Sequence, residues 1–322
     1  EAGRDTRANL RELKSGIWAQ LRQATRLQDG IALHYSHPSL QAGLLEDRED
    51  HVAEVRDAWV KLLEDCGLQY DFVSRQQLEA GKLQQGYRVL ILPESIAVSA
   101  AEAQQIRQFV AGGGAVIADL RCGLRDEHCR PQQPGMLDDL FGITRAQPGG
   151  TAPASALITT AAVGPDLPAE TEVRVTVPET GLRATGARNL ARSADDVAAP
   201  ALLVADAGRG KAIYLNLDLS QFETERKFHS VTERQLRAAL LGLLAQVGVE
   251  PAVHVSYQSG EPPHVEVVRY ALGEFTILGL LRVRGDGDDR VAQVKLPRAY
   301  HVYALRQGRY LGETDTITAP IQ

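Results

Sequence analysis

Cysteine, methionine and aromatic residues are scarce in this chain. Among 322 residues there are three cysteines, Cys66, Cys122 and Cys129, and one methionine, Met136. So small and odd a set of thiols excludes a disulfide framework. Aromatics make up 5% of the residues, with Trp18 and Trp59 the only tryptophans. Both tryptophans fall on helical apolar stripes and are expected in the core. So few rings argue against a self-sufficient sugar site, where pyranose faces stack on Trp or Tyr. No apolar run approaches the roughly 18 residues of a membrane-spanning helix. Phe275–Leu281 is strand-sized, so no membrane partner is expected. A basic face is missing too: the net charge is −6, which argues against a nucleic-acid partner. No signal-peptide pattern is visible. A soluble, cytoplasmic chain is favoured, and an opening Glu1 leaves the natural N-terminus open.

What remains is an ordinary globular composition, 44% hydrophobic and 24% charged, long enough for one large domain or two. Residues 1–29 read as an N-terminal linker whose helix covers 4–28. Leu10, Leu13, Ile17 and Leu21 form its stripe, and Gly30 stops it. From Ile31 strand and helix alternate. Ile31–Tyr35, Gln69–Val73, Val89–Leu92 and Ala115–Leu120 read as strands. Val52, Val55, Trp59, Leu62, Leu63 and Cys66 share one helical face. Ser99 with Glu102 forms a capping box for a helix that ends at Gly112–Gly114. Residues 143–210, rich in Gly, Pro, Ala and Thr, read as a β-rich insertion. There Val173, Val175 and Val177 alternate, and Leu202–Ala205 is expected to pair nearby. Ala212–Leu217 is another buried strand, followed by a helix at 228–247. This alternation predicts an α/β domain over 30–250 with a flavodoxin-like, doubly wound parallel sheet. Strand-like segments from Pro251 predict a small antiparallel β domain over 251–322.

In an open parallel sheet, ligands bind beyond the carboxyl ends of the strands. That rule nominates Tyr35 and Ser36 after the first strand, Glu94 after the third, and Asp119, Arg121 and Cys122 after the fourth. Asp218 follows the last strand. Cys122 is the obvious nucleophile, but Ala118–Gly123 lacks the small flanking residues of a nucleophile elbow. Its one candidate partner, His229, falls inside the expected helix. Asp126, Glu127, His128 and Cys129 share a loop with Cys122, without the spacing of a zinc site. Gly208–Lys211 is not a phosphate loop. Arg284–Asp286 reads as a hairpin turn. No pair among Glu94, Asp119, Asp126, Glu127, Asp218 and Glu223 stands out as a glycosidase couple. Neither a metal nor a cofactor is expected.

One longer pattern is more specific. Gly112-Gly113-Gly114-Ala115-Val116-Ile117 is followed by Cys122-Gly123-Leu124-Arg125-Asp126-Glu127. Then come Pro134-Gly135-Met136-Leu137 and Leu140-Phe141-Gly142-Ile143. Together with Tyr35-Ser36, Leu92-Pro93, Gly210–Tyr214 and Val265–Arg269, this order resembles the middle domain of family 42 β-galactosidases. That domain is a trimerisation domain with a class I glutamine amidotransferase-like fold that has lost the amidotransferase nucleophile. The resemblance implies an accessory module, not catalytic alone, whose parent is a glycoside hydrolase. It implies a homo-trimer and a TIM-barrel catalytic domain as partners, with carbohydrate as a candidate ligand. Residues 1–29 would then be the tail of a link from such a barrel. The loop from Arg121 to His128 becomes the candidate surface for a partner or a sugar. Two alternatives stand beside this reading: a free-standing amidotransferase-fold enzyme using Cys122, and a carbohydrate-binding module.

Overall fold

The computed structural model describes residues 14, 16–146, 152–195, 197–257, 264–282 and 290–321. The chain divides into two compact units, a smaller one from 1–29, 64–69 and 251–322 and a larger one from 30–63 and 70–250. The described chain opens with helix α1 (Ile17–Leu21) and strand β1 (Thr25–Arg26). The helix expected up to residue 28 therefore ends early, because Thr25 and Arg26 pair with Ala271 and Tyr270 instead. Leu10 and Leu13 lie outside the described residues. Trp18, expected in the core, is 50% exposed.

The larger unit runs through β2 (Ile31–Tyr35), α2 (His37–Leu45), α3 (Glu49–Asp65), β3 (Tyr70–Ser74) and α4 (Arg75–Glu79). It continues with β4 (Val89–Leu92), α5 (Ala100–Ala111), β5 (Ala115–Ala118), α6 (Asp138–Phe141), β6 (Ile143–Arg145), β7 (Leu157–Thr159) and β8 (Glu172–Val173). Then follow β9 (Leu182–Ala184), β10 (Arg188–Ser193), β11 (Pro200–Ala207), β12 (Gly210–Leu215), α7 (Phe222–Lys227) and α8 (Val231–Ala245). Nine strands form one sheet in the order β3-β2-β4-β5-β12-β11-β10-β7-β8. The first five are parallel; the last four join antiparallel. The sheet is therefore mixed, not wholly parallel. Much of the expected insertion continues it: β11 pairs with β12 and β10, and Val173 pairs with Leu157 in β7. The three valines do alternate, all buried, with Glu172, Arg174 and Thr176 exposed between and before them, but the ladder covers only Glu172–Val173.

Side-chain alternation explains why the parallel strands are apolar throughout. Ala32, Leu90, Val116 and Ala212 share a register row and lie in one core with Ile106, Phe109 and Val110 of α5. Leu33, Ile91, Ile117 and Ile213 point to the opposite face and are equally buried. Fully burying each of them is worth about 1.5–3 kcal/mol. Helix α5 begins with the expected capping box, the Ser99 side chain accepting from Glu102 N while Glu102 accepts from Ser99 N. The sequence pattern missed α2, which starts at its Ser36 cap with Pro38 in the first turn. The helix expected at 228–247 starts later, because His229 takes a left-handed φ of 48° between α7 and α8.

The smaller unit adds β13 (His254–Tyr257), β14 (Val265–Leu272), β15 (Phe275–Arg282), β16 (Arg290–Ala304) and β17 (Arg309–Ile321). Two antiparallel sheets result, β1-β14-β15 and β13-β16-β17. Tyr257, Val265 and Ala292 form one small core, and Val253, Val267 and Val294 another. Both draw on β14 from one sheet and β16 from the other. Strand β16 runs through both apolar stretches on either side of residues 297–299, with a register shift between Lys295 and Tyr300. Arg284–Asp286 lies outside the described residues.

Candidate functional site

The carboxyl ends of β2, β4, β5 and β12 bring together a set of charged side chains in the larger unit. Glu94, just after β4, is 0% exposed and holds a left-handed φ of 28°, a conformation that costs a non-glycine residue energy. Its Oε2 lies 2.7 Å from His51 Nδ1. The other imidazole nitrogen, Nε2, lies 3.0 Å from Asp218 Oδ2. One ring on α3 thus ties together the ends of two strands. Its hydrogen bonds to Asp218 and Glu94 raise the His51 pKa to about 9 against the cost of burial, so the ring is a cation that donates from both nitrogens at neutral pH. Burial works against the Asp218 carboxylate, but His51 and the Ser220 N–H outweigh it and hold the pKa at about 2.

Arg121 approaches the same cluster with a left-handed φ of 61°. Its guanidinium donates to Glu46, and its Nη1 lies 3.5 Å from Glu94 Oε1. Arg125 donates to the other oxygen of Glu46 at 2.5 Å. These two arginines overcome desolvation and lower the Glu46 pKa. Asp119 sits beneath, fully buried. It accepts from Trp59 Nε1 at 2.6 Å and from Glu94 N at 2.5 Å. Burial still pushes its pKa well above the usual carboxylate range. Beside it, Glu179 accepts from Arg121 N at 3.0 Å and from Arg145 Nε at 2.7 Å. Tyr214 donates to the same carboxylate.

The expected nucleophile is out of reach. Cys122 is 1% exposed, and burial pushes its thiol pKa up, the opposite of what a reactive cysteine needs. His229 is exposed in its turn and cannot partner a thiol buried in the core. The loop residues go elsewhere. The Asp126 carboxylate accepts from His128 N and Arg130 N, which lowers its pKa and fixes the turn. His128 is 66% exposed on its side chain, with Nε2 3.6 Å from Glu127. Cys129 Sγ turns to the Pro38 carbonyl. Tyr35 stands apart from the cluster, its ring under Arg56 and against Phe72. Ser36 serves as the α2 cap and bonds Ser39.

The structure therefore unites Glu94, Asp119, Arg121 and Asp218, and separates Tyr35, Ser36, Cys122, Asp126, Glu127 and His128 from them. It adds His51, Glu46, Glu179 and Arg145, which no motif announces. His51 borders the apolar stripe of α3 and reads as surface. Glu179 lies far along the chain in the 143–210 stretch. A second array was also missed. His34 Nδ1 lies 2.9 Å from Ser95 Oγ and its Nε2 lies 3.0 Å from Glu102. It mimics a serine–histidine–carboxylate series, but all three residues are buried and none can touch a substrate. In chemical terms the strand-end crevice is occupied by its own ion pairs, and among the described residues Cys122 there is buried rather than activated.

Solved structures share this architecture. Gan42B, a GH42 β-galactosidase from G. stearothermophilus, aligns with a TM-score of 0.65 at 17% identity over 91% of this chain and 39% of that one. The β-galactosidase from Bacillus circulans sp. alkalophilus aligns at 0.63, 18% identity, 94% and 42%. An α-L-fucosidase isoenzyme 2 from Paenibacillus thiaminolyticus aligns at 0.61, 17% identity, 96% and 50%. At such identities the likeness is one of fold, and the chain spans half or less of each of these proteins. No curated protein sequence matches the chain. The family model of the β-galactosidase trimerisation domain matches residues 29–237, well over half of the sequence, and the chain belongs to that family.

Proposed function

We propose that this chain is the assembly module of a larger β-galactosidase-type glycoside hydrolase, non-catalytic alone and associating as a homo-trimer with TIM-barrel catalytic domains as its partners. The observation that carries this is the crevice at the strand ends. Where an enzyme of this architecture would keep open space and a reactive group, Arg121 and His51 are seated on Glu46, Glu94 and Asp218, and Cys122 is sealed in the core. Charge spent on internal ion pairs makes a rigid platform rather than a reaction centre. The core is read as flavodoxin-like and amidotransferase-like, a reading supported by the order 2-1-3-4-5 of the five parallel strands in chain order. We divide the chain into a linker at 1–29, the α/β domain at 30–250 and the β domain at 251–322. The loop around Asp126, Glu127 and His128 is the surface assigned to a neighbouring subunit, because Asp126 holds it preformed and His128 projects from it.

Light scattering over a concentration series tests the proposal. A stable trimer without hydrolysis of a chromogenic galactoside is the expected result. A strict monomer at every concentration, or turnover by this chain, would overturn it.

A further inference from the structure

The smaller unit carries an exposed aromatic face. Strand β13, among the described residues, pairs with β16 over Ala292–Lys295. Among the described residues, the rest of the β16–β17 hairpin toward its turn is paired only with itself. A lone two-stranded ribbon is marginal in water, yet this one holds Tyr300, Tyr303 and Tyr310, three of the nine tyrosines. Tyr303 and Tyr310 are direct cross-strand partners. Their ring centroids lie 4.9 Å apart at an interplanar angle of 41°, and they are 61% and 48% exposed. His301 is on the same face. Its ring centroid lies 6.0 Å from that of Tyr310, and its Nδ1 lies 2.8 Å from the Tyr310 hydroxyl. Glu313, exposed, is the cross-strand partner of His301 and so shares that face.

Size and charge select the occupant. Two tyrosines of about 200 Å² each, half open, offer on the order of 200 Å² of ring surface. That is far below the ~800 Å² per side of a stable protein interface, and it suits a single sugar ring. The polar groups sit at the rim: a phenol held by His301, a free-facing Tyr303 and a carboxylate acceptor. The Glu313 carboxylate on the binding face takes a hydroxyl donor rather than an anion as its partner. We propose that the Tyr303–Tyr310 face binds a pyranose ring of a neutral carbohydrate, its C–H face on the two rings and its hydroxyls on Glu313 and the His301–Tyr310 pair. The choice of sugar rests on the glycoside hydrolase reading above; the platform does not.

Saturation-transfer NMR on the full chain with millimolar methyl β-D-galactopyranoside tests this. Transfer to the protons of one sugar face is expected, with affinity lowered about tenfold in Tyr303→Ala and reduced in Glu313→Gln. Tyr303→Phe restores the ring that Tyr303→Ala removes and should restore the transfer, and a far-UV circular dichroism spectrum unchanged in Tyr303→Ala separates lost stacking from a misfolded hairpin. Absent transfer, transfer unchanged in Tyr303→Ala, or ring-dependent binding of a single-stranded oligonucleotide in place of the sugar would overturn the site. Light scattering on the same sample keeps the two proposals apart. A trimer without transfer ends this one and leaves assembly standing, whereas a monomer with tyrosine-dependent transfer does the reverse.

Discussion

His51 is the residue on which the strand-end cluster turns. Its pKa rises on folding from 6.5 to about 9, so its stabilisation is complete below the lower value and is lost as pH climbs through the upper one. Asp218 reports the same contact from the other side. Its pKa falls from 3.8 to about 2, so that share is present above 3.8 and is lost as pH falls through about 2. Urea midpoints measured across pH should decline from 6.5 toward 9, and His51→Ala should flatten that slope. The substitution should cost about 2–3 kcal/mol at neutral pH, less than breaking a fully buried pair. Asp119 gives a second test. Both of its oxygens receive an N–H, from Trp59 and Glu94. In Asp119→Asn one of those donors would face an amide NH₂, so a loss of about 1–3 kcal/mol is expected, together with a shifted Trp59 fluorescence.

At the scale of elements, caps and close approaches decide where strands and helices begin. Ser99 both caps α5 and donates to Glu79 at 2.8 Å. Ser99→Ala should therefore lower stability by about 1–2 kcal/mol, readable by thermal melting. Gly210 opens β12 where a Cβ would sit 2.0 Å from the Gly114 carbonyl oxygen and 2.4 Å from that of Val110. No flexible side chain can yield there. Gly210→Ala should cost at least about 3 kcal/mol or abolish soluble expression, since β12 joins the parallel and antiparallel halves of the sheet. Both glycine and cap were visible in the sequence as punctuation. That Gly210 is a packing requirement, and not merely a turn, appears only when the backbone of 110–114 is placed against it.

At the scale of the whole molecule the prediction concerns assembly. Asp126 fixes the backbone of its loop through two N–H bonds. If that loop meets a neighbouring subunit, Asp126→Ala should raise the trimer dissociation midpoint about tenfold, some 1.4 kcal/mol, without moving the thermal melt of the larger unit by more than a few degrees. Sedimentation over a dilution series measures it; an unchanged midpoint would remove the loop from the interface. The family assignment, which covers residues 29–237, does not extend to the hairpin of the smaller unit, and the sugar platform proposed there is tested separately.

Local pattern alone determined a good deal. Continuous apolar runs place β2, β4 and β5, because a strand buried on both faces has no polar side to show. The Ser99 box places α5, and the order of short motifs from Gly112 to Ile143 points to the family. Tertiary structure decided the rest. Parallel and antiparallel neighbours bury similar valines and leucines, so although Leu202–Ala205 reads as pairing nearby, the pattern of 143–210 does not say that β11, β10, β7 and β8 extend the main sheet. Trp18 and Trp59 sit on similar stripes, yet Trp59 is enclosed with its indole N–H on Asp119 and Trp18 is half open. His51, Glu94 and Asp218 are 43 and 124 positions apart in sequence order. Their hydrogen bonds need separations near ~3 Å, and only the crossover topology of the sheet brings these three groups that close.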